Sequence, residues 1–353
     1  MNTSETSWGI TPVPDRLRTF SFFDTAALWV NLGISLLVLV AGALLVPALG
    51  LREALGAIAV GAALGCALLG LAALIGAERR LPGMVLLRSP LGRRGSYLPT
   101  SLNVVQNLGW ATFELIVIAT AANALADEVF GFEEKWVWTL VFGALVAWMA
   151  LAGPISLVRR FIRRYAVWVV LASTAYLTWW ALDRADLGSL WQAPGKGGLS
   201  FWQGVDLTIA MAASWLPLAA DYTRFCRNGR TAFAGASLGY LVPLVWLFGL
   251  GALLALSQGL TDPTTILSAV ATGGVASSLA LLALTADETD EPFANVYSAA
   301  VSLQNLFPRV PQRLLIVACA GAGYRSTARP SFAQGGPGSS TPMGISILGC
   351  SST

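Results

Sequence analysis

In a mostly apolar chain the side chains able to do chemistry are few, and their spacing narrows what that chemistry is. In SLNVVQNLGWATFELIVIATAA, Glu114 stands mid-run, Trp110 lies one helical turn before it on the same face, and Gln106 or Asn107 a further turn back. An indole, a carboxylate and a side-chain amide on one stripe suit a planar heterocycle. The ring would stack on Trp110 while its nitrogens and exocyclic amine bond to the amide and the carboxylate. The same stripe also suits a polar clamp between helices, with Trp110 as packing, and spacing alone does not separate the two. A second acidic group, Asp287, Glu288, Asp290 and Glu291, follows an apolar stretch late in the chain. Ionisable groups within hydrocarbon are costly and mark functional sites, so its placement matters. Either a span ends near Ala286 and the run is a solvated loop, or one helix continues from about Ser277 to Ser302 and carries the run inward. Hydropathy favours the loop. Asp24, Glu53, Glu78, Asp206 and Asp221 fall near span ends and read as solvated caps.

Other chemistry is excluded. The chain has no His, which removes imidazole catalysis and His-ligated metals. Cys66, Cys226, Cys319 and Cys350 stand apart with no CxxC spacing, so zinc and redox sites lack a framework. No motif supplies a nucleophile with its base, and an enzyme is not expected.

The elements that position these residues are membrane helices. The 353 residues are 55% hydrophobic and 12% charged, against about a quarter charged in a soluble domain. A helix crossing roughly 30 Å of hydrocarbon needs about 20 apolar residues. Runs of that kind fall near 25–48, 52–76, 98–125, 136–157, 165–182, 203–222 and 233–257, with an eighth within 264–304. The expectation is one all-α polytopic bundle: a segment 1–24, a core 25–322 and a tail 323–353. Two spans contain breaking residues: Asn31, Gly33 and Ser35 in the first, and Ser214 and Trp215 just before Pro217 in the sixth. Paired broken helices in two inverted halves point to a transporter's mid-membrane site. A shift of five spans relates the first to the sixth and maps the third, with Glu114, onto the eighth.

Basic residues orient the chain. With the N-terminus inside, the inner segments hold Arg16 and Arg18, the group from Arg79 to Arg94, Arg159 to Arg164, Arg224 to Arg230, and Arg309 and Arg313. The outer segments hold only Arg52, Lys135, Arg184 and Lys196, as the positive-inside rule requires. This predicts a cytoplasmic N-terminus in a plasma-membrane protein, with lipid and a small solute as partners and no nucleic acid. After RLLIVACAGAG, which reads as the start of a ninth span, the sequence turns rich in Gly, Ser, Pro and Thr. A disordered tail is one reading; a truncated or frame-shifted end is the one we expect.

GITPVP, NLGIS, RSPLGRRGSYLPT, QNLGWATFE, ADYTRF and DETDEPFANVYSAAVSLQN, in this order over residues 9–322, resemble the nucleobase-cation-symporter-1 family, in its purine-cytosine and hydroxymethylpyrimidine permease branches. The resemblance implies a LeuT-like bundle of two five-helix inverted repeats, the second incomplete here, importing a nucleobase with sodium or protons and no cofactor. It implies that Trp110 stacks on the base, that Glu114 and Asn107 or Gln106 bond to it, and that Ser214 and Trp215 close the pocket. It implies a cation site of backbone carbonyls near Gly33 and Leu36 with groups around Thr285, Glu288 and Thr289, and so favours the inward placement of the acidic run. Glu288 stands beside Thr289 where relatives have paired hydroxyls, and a carboxylate can carry a proton in place of sodium. The alternatives are a non-transporting sensor or scaffold, or an inactive truncated permease.

Overall fold

The structure, a computed structural model, describes residues 9–259, 265 and 275–327. Apart from a parallel bridge between Phe20 and Cys226, the regular elements among these residues are helices. The first span is α1 (Phe22–Asn31) and α2 (Leu36–Ala43), meeting at a 60° bend. A capping box starts α1: Ser21 accepts from the Asp24 amide, and the Asp24 carboxylate accepts from the Ser21 amide. The bend falls at the expected Gly33, where an added Cβ would lie 2.5 Å from Cγ of Pro243. The neighbouring helix thus passes against the break itself.

The second span is α3 (Leu51–Arg79). Short α4 (Gly83–Leu86) and α5 (Arg88–Gly95) lead to the third, α6 (Tyr97–Phe130), and the fourth, α7 (Lys135–Ala152). The fourth was expected to run to residue 157 but stops at Gly153, whose φ of 84° precedes Pro154. From there α8 (Pro154–Leu157) passes through π-helical turns at Val158–Ala166 into α9 (Val167–Asp183), the fifth span. A short α10 (Leu187–Gln192) precedes the sixth, which breaks at Ser214 and Trp215 into α11 (Phe201–Ala213) and α12 (Leu216–Thr223), with Pro217 in the first turn of the second half. The seventh is α13 (Gly229–Gln258). The eighth comprises α14 (Val275–Asp287) and α15 (Asp290–Leu306), interrupted at Glu288 and Thr289, and α16 (Gln312–Thr327) follows. The expected tail boundary at 322/323 falls within α16; the tail beyond Thr327 lies outside the described residues.

The helices pack as two groups. In one, α3 and α13 lie together and hold α1, α2, α11 and α12; in the other, α6, α7, α15 and α16 pack on one another. Spans one, two, six and seven thus form one group, and three, four, eight and nine the other, so a shift of five maps each group onto itself. Small residues set the closest approaches. A Cβ on Gly61 would lie 2.6 Å from the Val205 carbonyl of α11, and one on Gly76 2.6 Å from Cα of Ala220 on α12.

The acidic run corrects the hydropathy-based expectation of a solvated loop. Asp287, Glu288, Asp290 and Glu291 are all buried, because α15 runs on along α6 and faces the first group. Two of the supposed solvated caps are also buried: Asp24, paired with Arg163 at 2.8 Å, and Asp221, which accepts from the Gly83 amide at 2.9 Å. Glu53, Glu78 and Asp206 are exposed.

Candidate functional site

The seam between the two groups holds the chemistry. A small cavity of about 20 Å³ is walled by Trp110 and Glu114 from α6, Met211, Ser214 and Trp215 at the break of the sixth span, Tyr240 from α13, Glu291 and Asn295 from α15, and Leu37 and Val38 from α2. Glu114 is 3% exposed. The Asn295 amide donates to both of its carboxylate oxygens at 3.0 Å and to the Glu291 carbonyl at 3.2 Å. Trp215 donates from Nε1 to the Tyr240 hydroxyl at 2.9 Å. Both rings meet the buried Trp29 of α1 edge to face, with centroids 6.0 and 6.1 Å away. The wall therefore combines two indoles, Trp110 and Trp215, and the Tyr240 phenol with a carboxylate fixed by an amide.

A second constellation lies beside it at the break of α1 and α2. Asn31 donates its one amide nitrogen to Asp287 at 2.9 Å and to Asp290 at 2.8 Å. Glu288 accepts from the Leu36 amide and, at 3.4 Å, from the Ser35 hydroxyl. Glu288 thus occupies the N-terminus of α2, where unpaired amides and the helix dipole favour an anion. The Glu291 side chain touches both Ser35 and Glu114, which makes the two constellations contiguous. Among the described residues no Lys or Arg forms an ion pair with any of these five carboxyl groups.

The model of a family described as permeases for cytosine/purines, uracil, thiamine and allantoin matches residues 12–325. The chain belongs to the nucleobase-cation-symporter-1 family. A hydantoin permease from Microbacterium maritypicum is 27% identical over 315 residues, which is 83% of this chain and 63% of the permease. The chain therefore spans under two thirds of that relative. Mhp1, described as a nucleobase-cation-symport-1 family transporter and solved closed with bromovinylhydantoin bound, superposes with a TM-score of 0.78 at 23% identity, over 92% of this chain and 74% of Mhp1. A manganese transporter mutant from Eremococcus coleocola superposes with 0.64 at 15% identity, over 91% and 73%. These likenesses show the fold, an all-α LeuT-like bundle in a multi-pass membrane protein. Members of this symporter family are permeases, not enzymes.

Of the residues singled out from the sequence, Trp110, Glu114, Ser214 and Trp215 line the cavity. Gln106 instead donates to the Ser214 carbonyl at 3.0 Å, tying α6 to the break in the sixth span. Asn107 is fully buried, off the cavity wall, with neither amide atom paired among the described residues. On the cation side, Gly33 packs on Pro243, and Leu36 donates its N–H to Glu288. Thr285 is buried with its hydroxyl unpaired among the described residues, and Thr289, at the interruption, donates to the Ala286 carbonyl of α14 at 2.8 Å. Sequence reasoning missed Asn295, Tyr240, Trp29 and Asn31 as members of the site. Asn295 sits four residues after Glu291 on one helical face, a spacing that marks it once α15 is known to run along α6.

Proposed function

We propose that this chain carries a flat, amino-bearing nucleobase, of the cytosine, hydroxymethylpyrimidine or purine kind, into the cell together with a proton. The observation that carries the substrate half is Glu114, held bidentate by Asn295 in the cavity that Trp110 and Trp215 also line. With its oxygens fixed, Glu114 accepts from an exocyclic amine and from a protonated ring nitrogen, and charge-assisted bonds of this kind are roughly twice as strong as neutral ones. Uracil, whose edge offers carbonyls in place of the amine, meets like polarity. The names of the relatives, a hydantoin permease and a transporter holding a hydantoin, support a planar nitrogen heterocycle as the wider class.

Proton coupling is the reading that suits Glu288. A sodium ion needs oxygen ligands, yet here the Leu36 N–H points at the Glu288 carboxylate, which already caps α2. Protonation of Glu288 weakens that cap and loosens the first span from the eighth; this links the coupling ion to the hinge. Import then rises as external pH falls and is indifferent to sodium. Sodium coupling is the competing outcome, and sodium-dependent uptake at constant pH would establish it instead.

The deciding experiment compares wild type and Glu114→Gln for binding and uptake of labelled cytosine, hydroxymethylpyrimidine, adenine and uracil. The expected result is loss of aminopyrimidine binding by more than tenfold with little change for uracil. Unchanged binding and selectivity would show that the pocket is elsewhere. Binding by wild type with no uptake would favour a sensor or scaffold over a carrier.

A further inference from the structure

One face of α3 looks away from the protein. Val60, Leu64, Leu68, Leu71 and Ile75 are each more than a third exposed, at three- and four-residue spacing. In a membrane protein such a stripe lies against acyl chains. It leads, one turn later, to Arg79, exposed and without a carboxylate partner among the described residues. There the stripe opens into a groove of about 570 Å³ at the arginine-rich end of the bundle, lined by the apolar Ile75, Leu81 and Val85 and by Arg79, Arg88 and Ser89.

The groove is preformed. Its α4 side is fixed by the hydrogen bond that the Gly83 N–H donates to the Asp221 carboxylate. Its Arg88 is aimed by Asn305 of α15, which accepts from Nε at 2.6 Å and from Nη2 at 3.3 Å. Asn305 in turn donates to Thr100 at 2.8 Å and Ser96 at 3.1 Å. Two nitrogens of Arg88 are thus committed to positioning, and Nη1 has no partner among the described residues. Burial, and next the charge of Arg93, hold the Arg88 guanidinium below its usual range. Arg93 and Arg94 likewise have no carboxylate partner among the described residues.

We propose that this groove binds an anionic phospholipid, its phosphate on Arg79 and Arg88 beside the Ser89 hydroxyl and one acyl chain laid along the exposed face of α3. The charge and the apolar stripe meet at one end of one helix, as a phosphodiester and its chain do at the edge of the hydrocarbon. A free phosphate shares the head-group chemistry but has no use for the stripe. The proposal is independent of which solute is carried.

Native mass spectrometry of the purified chain, titrated in detergent with phosphatidylglycerol or phosphatidylcholine, tests it. Phosphatidylglycerol should be retained in preference, and Arg79→Gln should weaken its retention about fivefold, the effect of one surface arginine on an anionic head group. Ile75→Ser should weaken it too, while inorganic phosphate should not displace it. Both substituted side chains are exposed, and an unchanged lipid-free melting temperature confirms that the variants fold. Equal retention of the two lipids, or no effect of Arg79→Gln, overturns the proposal. So does full displacement by inorganic phosphate with Ile75→Ser silent, which would make the site one for a soluble anion.

Discussion

Asn295 spends one amide on both oxygens of Glu114, so the carboxylate cannot turn from the cavity without losing two bonds at once. Replacing it by Ala removes the amide from a buried carboxylate, an effect of about 1.5–3 kcal/mol for a hydrogen bond to a charged group. We expect Asn295→Ala to weaken nucleobase binding roughly ten- to a hundredfold, read by equilibrium binding in detergent, and Asn295→Gln to restore part of it. Trp215→Phe keeps an aromatic wall but removes the bond to Tyr240; it should shift binding by less than Asn295→Ala does. An equal or larger loss would make Trp215 the main anchor. At this scale the sequence was half readable. Trp110 and Glu114 are visible together because one helix turn separates them. Asn295 and Tyr240 reach the same cavity only through helix packing, and no local spacing announces a partner 181 residues away.

The broken helices are where element-level reasoning succeeded and failed for different reasons. Breaks one and six are legible because Gly33, Pro217 and their polar neighbours interrupt clearly apolar runs. The eighth span was misjudged by hydropathy because a window average counts its carboxylates as water-loving, whatever Asn31, Ser35 and Leu36 offer them. The two packing groups give this scale its own test. Gly61 lets α3 and α11 touch backbone to backbone, and a Cβ there meets the Val205 carbonyl at 2.6 Å. Gly61→Val should lower stability by about 1–3 kcal/mol, the usual range for overpacking, seen as a reduced melting temperature in detergent. Gly109, with nothing within 4 Å of an added Cβ, should tolerate Ala with little change.

For the whole molecule, charge decides orientation and burial decides assembly. An N-terminus inside puts Lys196, which is exposed, outside the cell. A membrane-impermeant amine reagent added to intact cells should label it, and Lys196→Arg should remove that share of the label and leave only what the other outer lysine, Lys135, takes up; labelling only after lysis would reverse the topology. The eighth span has a further consequence, for synthesis. An Asp at the centre of a lone helix disfavours insertion by about 2.5–3.5 kcal/mol, and residues 287–291 hold four acidic side chains whose partners lie on spans one and three. Residues 275–306 cannot therefore leave the translocon as a solitary helix; they must wait beside the nascent bundle until Asn31, Leu36 and the α6 face are there to receive them. A glycosylation reporter should find this segment uninserted when expressed alone and inserted when the preceding spans accompany it. Neutralising Asp287, Glu288, Asp290 and Glu291 together should let it insert by itself. The ribosome's order of delivery, with both partners made first, is then part of what allows this site to exist.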